Sequence, residues 1–209
     1  MPVNYIVRAD VVDIRSDAPQ PTDEFLIDTN VWAFLVYTRM AIGVRPPTHS
    51  KVMVYSSFVN QALKNGSRLR RCGLTLAELA HLIEKTEREI YAQANPVVPP
   101  HTKEYRHNFP GQRANVVMEI RSAWSQLKAM AFPADVLVNE TLTDTVITRS
   151  QTEALDVYDL FLLEAASLLG ISQIVTDDGD YCCVPRIQMF TNNQAVLAAA
   201  QTQGSLITR

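Results

Sequence analysis

Two short apolar runs constrain this chain more than any other feature. Phe25-Leu26-Ile27 passes directly into Asp28-Thr29-Asn30 and then into the apolar stretch Val31 to Val36. Ile174-Val175-Thr176 passes into Asp177-Asp178-Gly179-Asp180. Compact apolar runs bounded by polar turn residues predict buried strands. Elsewhere the apolar residues shift to a helical period. Val52, Tyr55, Val59 and Ala62 predict a helix over 50–64 that closes near Gly66. Leu76, Leu79, Ile83 and Ile90 predict one over 76–93, and Val117, Ile120, Trp124, Leu127 and Met130 one over 112–131. The apolar segment 153–169 reads as a helix stopped by Gly170, 187–191 as a strand, and the Ala-rich 194–201 as a closing helix. Strands alternating with helices imply an α/β fold: a three-layer α/β/α sandwich on a mostly parallel central sheet.

Two segments fall outside that rhythm. Residues 1–24 read as an N-terminal lead-in, with a short strand where Tyr5, Val7, Ala9 and Val11 alternate and a turn at Pro19 and Pro21. Residues 94–111 carry Pro96, Pro99, Pro100 and Pro110 and read as a Pro-rich surface insertion within a domain spanning 25–209. A shorter loop is expected over 43–50. With 47% apolar residues the chain can bury a core, which excludes bulk disorder. The net charge of −3 means that nucleic-acid binding would need a local basic patch. No stretch approaches the roughly 18–20 apolar residues of a membrane helix. Asn4, Arg8 and Asp10 interrupt any signal-type run, so no membrane contact and a cytoplasmic location are expected. The three cysteines, Cys72, Cys182 and Cys183, lack disulfide or zinc spacing and read as thiols.

Chemistry concentrates in the carboxylates. Asp28 and Asp178, with Asp180, follow the two apolar strands. Glu78 opens one helix, and Asp159 lies early in another. In open parallel sheets the working crevice lies beyond the carboxyl ends of the strands. Acidic side chains gathered there repel one another unless a cation intervenes, and oxygen donors suit Mg²⁺ or Mn²⁺. Each residue also has a local reading. Asp28 or Asn30 caps the helix after it. Thr75 and Glu78 form a capping box. Asp156 and Asp159 favour a helix N-terminus, and Asp-Gly is a turn pair. The ordered set favours the joint reading.

These residues resemble the PIN-domain family of metal-dependent ribonucleases, including its toxin-like members. Phe25-Leu26-Ile27-Asp28-Thr29-Asn30-Val31 is similar to that family's first strand ending in Asp-Thr/Ser-Asn. Leu74-Thr75-Leu76-Ala77-Glu78-Leu79 is similar to its second acidic helix. Asp159, with Gly170 downstream, and Thr176-Asp177-Asp178-Gly179-Asp180-Tyr181 are similar to its closing motifs. The resemblance implies that Asp28, Glu78, Asp159 and Asp178 are catalytic and hold Mg²⁺ or Mn²⁺ with Asp180 as a peripheral helper. It implies that Thr29, Asn30 and Thr176 orient those carboxylates. It also implies endonucleolytic hydrolysis of RNA by metal-activated water. An inhibitory antitoxin-type protein and a homodimer are the partners that this implies beside the RNA.

For the substrate backbone the expected contacts are Lys64, Arg68, Arg70 and Arg71, which equally fit a solvated turn after a helix. Lys103, Arg106, His107 and Arg113 form a second candidate lip. The four histidines have no ligand spacing, and Tyr55, Phe58 and Trp124 lie on apolar helical stripes and read as core. Two rivals remain. One is a catalytically silent PIN-like module that binds RNA or protein. The other is an aspartate-nucleophile phosphohydrolase, which needs an Asp where Asn30 stands.

Overall fold

The computed structural model describes residues 3–43, 47–95 and 101–209. Among them, seven strands join in one sheet: β1 (Asp10–Asp13), β2 (Glu24–Ile27), β3 (Arg68–Arg71), β4 (Phe132–Pro133), β5 (Gln173–Val175), β6 (Gln188–Thr191) and β7 (Leu206–Ile207). Every pairing is parallel, and the spatial order is β4-β3-β2-β5-β6-β1-β7. The helices are α1 (Thr29–Val36), α2 (His49–Asn65), α3 (Leu74–Ala94), α4 (Thr102–Asn108), α5 (Pro110–Met130), α6 (Glu140–Ser150), α7 (Val157–Leu168) and α8 (Gln194–Gln203).

Side chains alternate across a strand, so each strand feeds two cores. Phe25 and Ile27 face one side with Val175 and Phe190, beneath α1, α2, α3 and α5. Leu26, Ile174 and Met189 face the other side, beneath α7 and α8. Three layers follow, as the sequence implies. The first core centres on Phe25, whose ring meets Phe190 at 4.9 Å and Phe58 at 5.6 Å, both edge-on. Such pairs add about 0.5–1.5 kcal/mol each beyond burial.

The connections set the site. From β2 the chain winds outward to β3 and β4. It then returns to the other flank of β2 as β5 and continues to β6. The seam between β2 and β5 is therefore the topological switch point, where a crevice opens beyond the strand ends.

Several expectations change. The basic run 68–71 is not a turn but the strand β3, in which only Leu69 is buried. The lead-in strand lies at Asp10–Asp13, later than its alternation predicts, and fits between β6 and β7 as an integral strand of the sheet. The expected insertion contains α4 and the start of α5. Its Pro96, Pro99 and Pro100, and residues 44–46 of the expected loop, lie outside the described residues. Helix α6 has no counterpart in the sequence reading. Among the described residues no helix is long and apolar enough to cross a membrane.

Candidate functional site

Strands β2 and β5 each end by delivering an aspartate to the switch point. Asp28 is the N-cap of α1: its Oδ1 accepts the Thr29 backbone N–H at 2.6 Å, and its own N–H donates to the Val175 carbonyl at 3.0 Å. The capping role read from sequence is real, and it uses only one carboxylate oxygen. The other, Oδ2, accepts the Thr176 hydroxyl at 2.6 Å. That hydroxyl oxygen in turn accepts the Asp178 N–H at 2.9 Å. Asp178 caps the short helical turn Gly179–Cys183 by accepting the Asp180 N–H at 2.9 Å. One threonine thus ties the ends of the two strands.

Asp159 enters from the first turn of α7. Asp156, not Asp159, is the N-cap there and accepts the Asp159 N–H at 3.0 Å. The Asp159 carboxylate is free to turn inward, where its Oδ1 accepts the buried Tyr181 hydroxyl at 2.8 Å. Glu78 comes from α3. The capping box expected for it is absent: the helix begins earlier, with Gly73 as N-cap and no side-chain cap bond. Thr75 instead lies inside the helix with its hydroxyl buried and unpartnered, and Glu78 is released toward the crevice.

The electrostatics bring these four together. Burial pushes the Asp28 carboxyl well above its usual range, and the charges of Asp159, Glu78 and Asp178 push it further against the Thr176 bond. Asp159 rises to about 7, again chiefly by burial, with Asp156, Asp178 and Glu78 adding to it and the Tyr181 bond opposing. Glu78 rises through burial first, then through Asp156 and Asp178. Asp180 is exposed at the rim and rises through burial and Asp178.

The neighbouring residues fall into distinct roles. Thr176 orients the Asp28 carboxylate directly and anchors Asp178 through its backbone N–H. Asn30 accepts the Asp177 N–H at 3.4 Å and so steadies the loop rather than a carboxylate. The Thr29 hydroxyl is fully buried with no hydrogen-bond partner, yet lies near enough to Glu78 to favour its charged form. Asp177 points away: its carboxylate pairs with Lys51 at 2.6 Å and with the Tyr55 hydroxyl at 3.1 Å. The sequence reading gave Tyr181 and Lys51 no part in the site and took Tyr55 as core, which it is, though its hydroxyl also reaches Asp177. Only Tyr181 left a signal, as the aromatic that closes the second acidic run. Tyr5 packs on the same turn, its hydroxyl 2.2 Å from where a Gly179 Cβ would stand.

The expected basic contacts do not join the crevice. Arg68 pairs level with Glu24, at the start of β2, whereas Asp28 follows its end, about 13 Å further along the strand. Lys64 sits in the last turn of α2, which leads into the start of β3. Arg70 is held by Glu24 at 2.5 Å and by the Pro133 carbonyl at 2.9 Å. Arg71 stacks over Trp124, 4.9 Å from the ring centre. Sheet pairing and side-chain partners consume this run. The cysteines are free thiols, with Cys72 and Cys182 buried.

The donor set is of the kind a hard divalent cation takes: four carboxylates that make no ion pair among the described residues, and the orphaned Thr29 hydroxyl. Among the described residues no group of three or more acidic, histidine or cysteine side chains is drawn together closely enough to hold a metal ion as they stand. Fold and site together define a doubly wound α/β protein with an acidic crevice at its switch point. No model of a known protein family matches the chain, and no curated protein matches it.

Proposed function

We propose that the chain is a metal-dependent endoribonuclease. The observation that carries this reading is the convergence of Asp28, Glu78, Asp159 and Asp178 at the β2–β5 seam, with burial and mutual repulsion raising three of the four carboxyls. Carboxylates crowded without a cation destabilise the fold, and such an arrangement marks a functional site. The resemblance of the same residues to the PIN-domain motifs gives the chemistry.

Asp28, Glu78, Asp159 and Asp178 would hold Mg²⁺ or Mn²⁺, with Asp180 at the rim. The bound cation supplies charge neutralisation at the scissile phosphate and a more acidic water. The chain's own residues do the rest. Thr176 holds the Asp28 carboxylate against the Asp178 backbone N–H, and the Asp180 N–H steadies the Asp178 carboxylate. The Tyr181 hydroxyl fixes Asp159, and burial excludes bulk water from Asp28 and Asp159, 3% and 7% exposed. RNA is the macromolecular partner of this reading, in the cytoplasm.

Incubation with single-stranded RNA tests the proposal. Cleavage in Mn²⁺ or Mg²⁺, abolished by EDTA and in Asp178→Asn, is the expected result. Millimolar Mn²⁺ should also raise the melting temperature, because a ligand of the native state stabilises it by mass action. No cleavage together with unchanged melting would remove the reading.

A further inference from the structure

A groove of about 650 Å³ opens beside the crevice, lined by α3, α4, α5 and the start of α7. Glu78 and Asp156, both part of the crevice electrostatics, line it together with Arg106, Arg113 and Tyr158. The two arginines are not equivalent. Arg106 forks onto Glu84, which is 4% exposed, and that pair is neutral. Arg113 lies 3.7 Å from the same carboxylate, already satisfied by Arg106, and 46% of its side chain is exposed. Of the two arginines that line the groove, Arg113 is the one whose guanidinium keeps charge available beyond this long contact. Tyr158 comes two residues after the Asp156 cap and is 48% exposed, an aromatic left uncovered beside carboxylates.

We infer that this groove is the track for a single-stranded nucleic acid, with Arg113 holding a phosphate that flanks the scissile one and Tyr158 stacking an unpaired base. The inference rests on the proposed nuclease reading and gives it a substrate class. The acidic wall repels a phosphate backbone, so a strand that reaches the crevice must lean on the arginine wall. A guanidinium matches a phosphate in a fork of donors. Base stacking on an exposed aromatic requires an unpaired base, because a duplex keeps its base faces covered. The bidentate Arg106–Glu84 contact holds α4 against α3 and so keeps the groove's outer wall in place.

Fluorescence anisotropy of a short labelled single-stranded RNA, read in EDTA at low salt with the full chain, tests this without cleavage. Arg113→Ala is expected to weaken binding several-fold and to lower the slope of log affinity against log salt by about 1. Tyr158→Ala is expected to weaken it about 10-fold, with Tyr158→Phe close to the parent. Arg68→Ala, at the amino end of β3 and so at the opposite end of the strands from the crevice, should bind as the parent does. Undetectable binding by the parent, unaltered binding in Arg113→Ala and Tyr158→Ala, or equal affinity for a duplex of the same sequence would each overturn the inference. The two readings separate cleanly. This binding pattern without cleavage in Mn²⁺ defeats only the nuclease reading, and cleavage without this pattern defeats only the groove.

Discussion

The molecule buries carboxylates in two places and treats them oppositely. On the α3–α4 flank, Glu84 and Glu87 are each 4% exposed, and each has an arginine: Arg106 on Glu84, and Arg39 at 2.9 Å from Glu87. Arg106 holds the Glu84 carboxyl below its ordinary range. At the switch point, Asp28 and Asp159 are buried as deeply, yet their partners are hydroxyls and amides and their neighbours are other acids. The flank shows that this fold can provide arginines for buried acids. Among the described residues no arginine pairs with the crevice carboxylates, so their charge balance is left to protons or to an added cation.

The sharpest way to break the comparison is catalytic. Asp28→Asn should abolish RNA cleavage, a loss of roughly 100-fold or more, read in a metal-supplemented assay. In EDTA the same variant should be neutral or more stable in a urea melt, because it removes a repelled charge.

The next effect is on pH dependence. Asp159 moves from an ordinary 3.8 to about 7 on folding. Between those values the native state keeps a proton that the unfolded chain has lost. Metal-free stability from this group is therefore full below about 3.8 and is lost as pH rises toward 7. The upper bound is roughly 4 kcal/mol, and Asp159→Asn should flatten the profile measured by denaturant titration in EDTA. On the flank the sign reverses, since the lowered Glu84 carboxyl stabilises the fold at higher pH and loses that contribution on acidification.

Packing at the crevice gives a third outcome. Gly179→Ala places a methyl group into the Tyr5 ring and should cost about 1–3 kcal/mol in a thermal or urea melt. Tyr5→Ala in the same chain should recover part of that loss. The smallest effect belongs to the flank: Glu84→Gln should destabilise by about 1–2 kcal/mol in either metal or EDTA. Its partner Arg106 is 44% exposed, and solvent takes over part of the lost contact. A metal-dependent response in Glu84→Gln, or none in Asp28→Asn, would erase the contrast between the two regions.

What the sequence reveals follows from how each element is stabilised. Strands β2 and β5 bury every side chain but the first, Glu24 and Gln173, so they stand out as apolar runs. Helices α2 and α8 end in left-handed glycines, Gly66 and Gly204, and Gly66 marks its boundary in the sequence. Strand β3 is hidden because three of its four residues are arginines, and pairing with β2 and β4 rather than side-chain pattern makes it a strand. Helix α6 is Thr-rich and buries only Leu142 and Val146, too little for a helical stripe. In the site, Asp28 and Asp178 are legible because a strand end is legible. Glu78 and Asp159 are placed by helix starts, and there the cap decides. Gly73 in place of Thr75, and Asp156 in place of Asp159, determine which acidic side chain is free to face inward.

The Thr176 hydroxyl has a single hydrogen, and it gives that hydrogen to Asp28 while its lone pair receives the Asp178 amide. Serine in that position would preserve the relay, whereas valine, nearly identical in shape, would remove both of these bonds at once. Selection for packing alone would be blind to that exchange, so the identity of one small side chain records whether a lineage still needs its two aspartates held in step.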